Sequence, residues 1–86
     1  IYYIRLNKNT ILALIIMIYI LKIKGTDKIP DFVQIRDENM SLKAYFRLDQ
    51  QERGLMKNKL EKHKNEIMEF INKIPYGKIH TFNYNG

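Results

Sequence analysis

Two histidines, one serine and nine carboxylates are the groups from which this 86-residue chain could build acid–base or nucleophilic chemistry. Ser41 stands in a polar stretch with no histidine near it in sequence, and a nucleophilic hydroxyl needs a base within hydrogen-bond reach. The pattern fits turn chemistry instead. His63 and Glu66 are one helical turn apart, a spacing compatible with metal ligation, but a zinc site takes three or four ligands and no third is evident. A lone histidine on an apolar stripe is expected to pack at the margin of a core. His80 lies in the last apolar segment. Asp27, Asp31, Asp37 and Glu38 gather around two turns, where capping roles account for them, and a chain this small offers little cleft for a carboxylate pair with separated pKa values. The four glycines are far apart, so no phosphate-cradling loop is present. Cysteine is absent, which excludes disulfides, thiolate metal sites and a thiol nucleophile. The expectation is a protein that is not an enzyme and has no catalytic residue, no metal and no cofactor.

The other candidate chemistry is binding. The net charge is +6, but it is spread thinly: residues 1–16 and 17–30 each carry +2, 31–48 are neutral, and 49–74 and 75–86 carry +1 each. A nucleic-acid footprint is usually a concentrated patch, because affinity grows with the number of phosphates neutralised together. Ile, Lys, Asn, Tyr and Phe make half of the chain. All five have A/T-rich codons, so an A/T-rich genome would account for part of the lysine excess without a polyanionic partner.

The elements that would position such groups start with "ILALIIMIYIL", residues 11–21. This run is too short to cross a bilayer, which takes about 20 apolar residues, and Lys22 and Lys24 follow it at once. It lacks the small-residue cleavage site of a signal peptide. "MIYILKIKG", from Met17 to Gly25, reads as a first β-strand, and the chain begins with Ile rather than Met. The expected organisation is a single α+β domain over residues 17–86. Residues 1–16 are then upstream sequence translated in frame, or an added strand or short helix. A membrane tether through residues 10–23 is a third, less favoured reading, above only an enzyme, and the expected compartment is cytoplasmic.

Phe32–Arg36 and Leu42–Leu48 bracket Asp37-Glu38-Asn39-Met40-Ser41 and read as a hairpin. Alternation places Val33 and Ile35 inward on the first arm, with Leu42, Ala44, Phe46 and Leu48 inward on the second. Asp49-Gln50-Gln51-Glu52 has capping-box spacing, and Met56, Leu60, Ile67, Phe70, Ile71 and Ile74 form one apolar stripe. One helix over 49–74 would be about 39 Å long, against about 23 Å for the strands it covers, so a kink near Gly54 or an overhang is expected. Pro75-Tyr76-Gly77 ends the helix, and "KIHTFNY" is a final strand. The order is β-β-β-α-β, a mostly antiparallel sheet with one amphipathic helix on one face.

"EIMEFINKIPYGKIHTF", residues 66–82, resembles the helix-and-turn segment that opens the DNA-binding region of alkylguanine alkyltransferases. Ile74, Pro75, Gly77, Lys78, Ile79 and Thr81 fit the family's pattern, with Phe82 in a tyrosine place and Asn83 in a glycine place. The match spans 17 residues and includes neither the recognition helix nor the reactive-cysteine motif. Helix, proline, glycine and strand in that order is also a generic stop-and-turn pattern.

The remaining candidate site is the outward face of the hairpin: Phe32, Arg36, Lys43, Tyr45 and Arg47. Ile18, Ile20, Lys22 and Lys24 extend it if the first strand pairs alongside. Aromatics among cations on an open sheet are what single-stranded RNA binders use, whereas an apolar patch on a small domain more often marks a protein interface. The leading expectation is an interaction or accessory module that contacts a protein partner, or a second copy of itself as a homodimer, through this face. A weak single-stranded RNA- or DNA-binding domain on the same face is the alternative.

Overall fold

The structure is a computed structural model, and it describes residues 2–4 and 13–86. Among these residues, five antiparallel strands and two α-helices run in the order β1 (Tyr2–Ile4), β2 (Ala13–Ile23), β3 (Phe32–Arg36), β4 (Leu42–Arg47), α1 (Gln51–Lys57), α2 (Lys64–Lys73), β5 (Ile79–Asn85). The opening apolar tract is therefore a strand from Ala13 onward, continuous through Met17. Residues 1 and 5–12, where the upstream-segment reading and the start of the tether reading fall, lie outside the described residues.

β2 is the central strand. Tyr19, Ile20 and Leu21 each face a residue of β3 on one side and of β5 on the other, and Ile15 lies between Tyr2 and Asn85. The long strands are thus ordered β5-β2-β3-β4, with the short β1 beside β2 on the β3 side. A strand flanked on both sides and apolar on both faces is a continuous hydrophobic run, which is what residues 11–21 are.

Both helices lie on one face. Ile18 and Ile20 of β2, Val33 and Ile35 of β3, and Ala44 and Phe46 of β4 form a buried cluster with Leu55 of α1, Ile67 and Ile71 of α2, and Ile74. β5 closes its flank with Phe82 opposite Ile18 and Tyr84 opposite Ile16. The α+β class and the two inward pairs of the hairpin, Val33 with Phe46 and Ile35 with Ala44, agree with the alternation in the sequence.

Four local expectations are corrected. The single helix over 49–74 is two helices, and they part at Asn58–Leu60, not at Gly54. There Leu60 N–H donates to Leu55 O (2.9 Å) and Lys59 N–H to Met56 O (3.3 Å), with Lys59 in the left-handed region at φ 64°. That bond pair is a Schellman stop, and it lets Leu60 fold back onto the core. Dividing the rod this way resolves its excess length over the sheet. Gly54 serves another purpose: a Cβ on it would lie 2.3 Å from Phe46 Cγ, so its lack of a side chain is what lets α1 approach β4.

The capping box does not form. Asp49 sits inside a 3-10 turn, Leu48–Gln50, and its carboxylate takes both Nε and Nη2 of Arg47 (3.1 and 2.7 Å), while Glu52 pairs with Lys64 across the helix pair. Leu42 is half exposed rather than inward, because the register shifts between Ile35 and Arg36: Ile35 faces Ala44 but Arg36 faces Leu42. A bulge of one residue puts Leu42 out of phase with Ala44 and Phe46. The last correction concerns β2, whose Ile18, Ile20 and Lys22 point into the core and not onto the open face.

Candidate interaction face

The face of the sheet opposite the helices is built in register rows. Ile23, Phe32 and Arg47 form one row; Ile79, Leu21, Gln34 and Tyr45 a second; Thr81, Tyr19 and Arg36 a third; and Asn83 faces Met17 beyond them. No residue of these rows is buried, whereas Ile18, Ile20, Val33, Ile35, Ala44 and Phe46 on the other face all are. Among the described residues, this face is uncovered.

Of the sequence-derived residues, Phe32, Arg36, Tyr45 and Arg47 come together here on the neighbouring strands β3 and β4, whereas Lys43, the extra residue of the bulge, lines a groove on the helix side with Ile16, Ile18, Ile35 and Leu60. Phe32 and Tyr45 stack with ring centroids 4.9 Å apart and planes 22° apart, a diagonal cross-strand pair of the kind that stiffens an antiparallel ribbon. The cations are each engaged locally. Arg36 donates through Nη1 to Met40 O (2.9 Å) and through Nη2 to Gln34 Oε1 (3.1 Å), tying the hairpin turn to the face. Lys43 Nζ lies 3.4 Å from Asp37 Oδ2. The two-pronged hydrogen bond to Asp49, followed by its charge, holds the Arg47 pKa above the ordinary value. Asp37 is held below the ordinary carboxylate value, first by the Ser41 amide and further by Asn39 and Lys43. Its Oδ1 accepts from both backbone N–H groups (2.9 and 3.0 Å), so Asp37 is a turn residue.

What sequence reasoning missed is the share of this face supplied by β2. Met17, Tyr19, Leu21 and Ile23 lie on it, half-buried, in place of Ile18, Ile20 and Lys22. A strand that is apolar on both sides carries no phase in its own alternation. Lys22 was the only polar mark, and it points inward.

The reactive groups do not converge. Ser41 is in the hairpin turn, its N–H bonded to Asp37. His63 is largely buried and tilted against the Tyr84 ring (centroids 4.6 Å), with Glu66 3.7 Å from its Nδ1. His80 meets the edge of Phe70. Burial, with a smaller push from Glu38, raises the Tyr84 pKa. Among the described residues no group of three or more His, Asp or Glu side chains could hold a metal ion, and no helix is long and apolar enough to cross a membrane.

No family model matches this chain, and neither a curated protein nor a solved structure is similar to it. The segment 66–82 folds as α2, a Pro75–Gly77 turn and β5, with β5 antiparallel to the central strand. The alkyltransferase resemblance thus stays confined to a helix, its stop signal and a strand.

Proposed function

We propose that this chain is a non-enzymatic interaction module of the cytoplasm that contacts a protein partner, or a second copy of itself, through the open face of its sheet. The observation that carries this reading is the make-up of that face. Met17, Tyr19, Leu21, Ile23, Phe32, Tyr45 and Ile79 adjoin one another across four strands, and Arg36 and Arg47 on the same face already have partners within the chain. A surface with an apolar centre and paired charges at its rim is the anatomy of a protein interface. An eighty-six-residue domain, which buries only a modest share of its surface, also gains stability from covering such a patch.

A homodimer through this face predicts that the weight-average mass from light scattering rises with concentration towards twice the monomer value. Tyr45→Glu, on an exposed position, should return it to monomer with the far-ultraviolet spectrum unchanged. A mass that stays monomeric at all concentrations, with no other protein retained by the wild type and lost with Tyr45→Glu, would sink the reading.

Single-stranded nucleic acid is the second reading, favoured by the Phe32–Tyr45 stack beside Tyr19, Arg36 and Arg47. It requires phosphates to displace Asp49 from Arg47, and it predicts binding that falls steeply with salt.

A further inference from the structure

We infer that the outer edge of β4, together with the groove between it and α1, is a docking site for an extended acidic peptide, which would add to the sheet as a sixth strand. This site lies on the edge and on the helix side; it shares Tyr45 and Arg47 with the open face but not β2 or β5, so either can fail without the other.

β4 pairs with β3 on one side and with no strand on the other among the described residues. Leu48 N–H donates to Asp31 O (2.9 Å), which sets the phase of the β3–β4 ladder. Phe46 and Ala44 therefore exchange bonds with β3, and the Tyr45 N–H and C=O and the Arg47 N–H point away from it; the Arg47 C=O begins the 3-10 turn as its N-cap. Such a row of unpaired backbone groups is a template for strand addition. Proteins usually cover an edge or shorten it. Here the strand is six residues long, and alongside it runs a groove of about 520 Å³ whose far wall is α1. Gly54 fixes the width of that groove by seating α1 directly on Phe46.

Charge selects the occupant. Arg53 and Lys57 lie four residues apart on the groove side of α1, both exposed. Neither is in an ion pair or side-chain hydrogen bond among the described residues, in contrast to Arg47, Lys64 and Lys73. Gln50 adds an amide to the same wall. An incoming strand alternates its side chains between two faces. Those on the helix side meet Arg53 and Lys57 and are best matched by carboxylates; those on the other side extend the surface beside Tyr45 and Phe32 and are best matched by apolar groups. A second β4 edge is disfavoured, because two-fold pairing would bring Arg53 and Lys57 against their own copies.

The test uses the whole chain and a fluorescein-labelled, end-blocked octapeptide of alternating glutamate and valine. Anisotropy should rise on titration, with binding that weakens as salt is added. It should be about tenfold or more weaker for Arg53→Glu with Lys57→Glu, both solvent-exposed changes. In amide-resolved NMR, Tyr45 and Arg47 should shift while Ile79–Asn85 do not. Methylating alternate peptide nitrogens should abolish binding in the phase that faces the edge. The proposal is overturned if the lysine–valine peptide binds as well, if both N-methylated phases bind like the parent, or if the double variant binds unchanged. Binding of an octamer of thymidylate with equal affinity overturns it too, since the groove would then be a polyanion site. Light scattering with an Ile79→Glu variant, exposed on the open face but on the opposite edge strand, reports on that face without touching the β4 edge, so the two readings are separable.

Discussion

The ammonium of Lys22 donates a 2.8 Å hydrogen bond to the backbone carbonyl of Ile71, although Lys22 is only 6% exposed and sits among the isoleucines of the core face. Ile71 is in the last turn of α2, where carbonyls have no partner within the helix, and a cation there also complements the helix dipole. The Tyr76 ring covers the same ammonium at 4.7 Å, and Gly77 N–H bonds Lys22 O (2.8 Å). One residue of the central strand thus fastens both the end of α2 and the turn that leads to β5.

Lys22→Met keeps the aliphatic stem but leaves the Ile71 carbonyl without a donor. It should cost about 1–3 kcal/mol in urea denaturation, the penalty for an unsatisfied buried polar group. Lys24→Met, at an exposed position on the same strand end, should change stability by less than about 0.5 kcal/mol. Equal effects of the two would mean that the Lys22 bond contributes nothing.

Gly54→Ala sets helix propensity against packing. Alanine in place of a mid-helix glycine normally stabilises by about 0.5–1 kcal/mol. The contact with Phe46 reverses the sign here, since α1 must move off β4 to admit a methyl group; a net loss of about 1–3 kcal/mol is expected. Combining Gly54→Ala with Phe46→Leu should recover part of it, measured as a double-mutant cycle.

Lys59 and Met40 hold left-handed backbones, both at φ 64°, where a Cβ is unfavourable. Lys59→Gly, at the position of a Schellman stop that glycine normally fills, should raise the unfolding midpoint, with a gain of roughly 0.5–1 kcal/mol. Met40→Gly in the hairpin turn should act in the same direction. A loss from Lys59→Gly would show that the Lys59 side chain contributes more than its backbone strain costs.

Acid should destabilise the fold through carboxylates whose folded pKa is depressed. Asp31 is lowered below 3.8 first by the Tyr76 hydroxyl (2.7 Å) and then by the Gly25 amide; Asp37, Glu52 and Glu69 are lowered as well. A depressed folded pKa adds stability that is complete above the unfolded value and is lost as pH falls through the folded one. The thermal midpoint should therefore be flat above about pH 5 and fall below about pH 4, where these groups titrate. Asp31→Asn should make that decline shallower. Glu52 and Glu69 are exposed and Asp31 and Asp37 half-buried, so added salt should also reduce the slope.

The hairpin and its inward set Val33, Ile35, Ala44 and Phe46 were legible in sequence because one face is apolar and the other polar, which fixes both period and phase. The placement of Phe32, Arg36, Tyr45 and Arg47 on the other side of that alternation was legible too, but the bulge that takes Lys43 out of it was not. The stop after α2 was legible from Pro75 and Gly77. The phase of residues 15–23 was not, because both sides are apolar and a one-residue slip inverts every side chain. Nor was the division of the helix, since the apolar stripe continues across Asn58–Leu60 and the reversal there is made by Lys59, a residue with no preference for a left-handed backbone. Composition and local pattern, by themselves, determined the class of the fold, its strand and helix segments and the poverty of its reactive groups, because these depend on residue type and near-neighbour spacing. Only the tertiary structure decided which face of β2 is open, what Lys22 does, why residue 54 has no side chain and that Arg53 and Lys57 flank a bare strand edge. Each of those is a contact between segments distant in sequence, and such contacts are set by how whole elements pack.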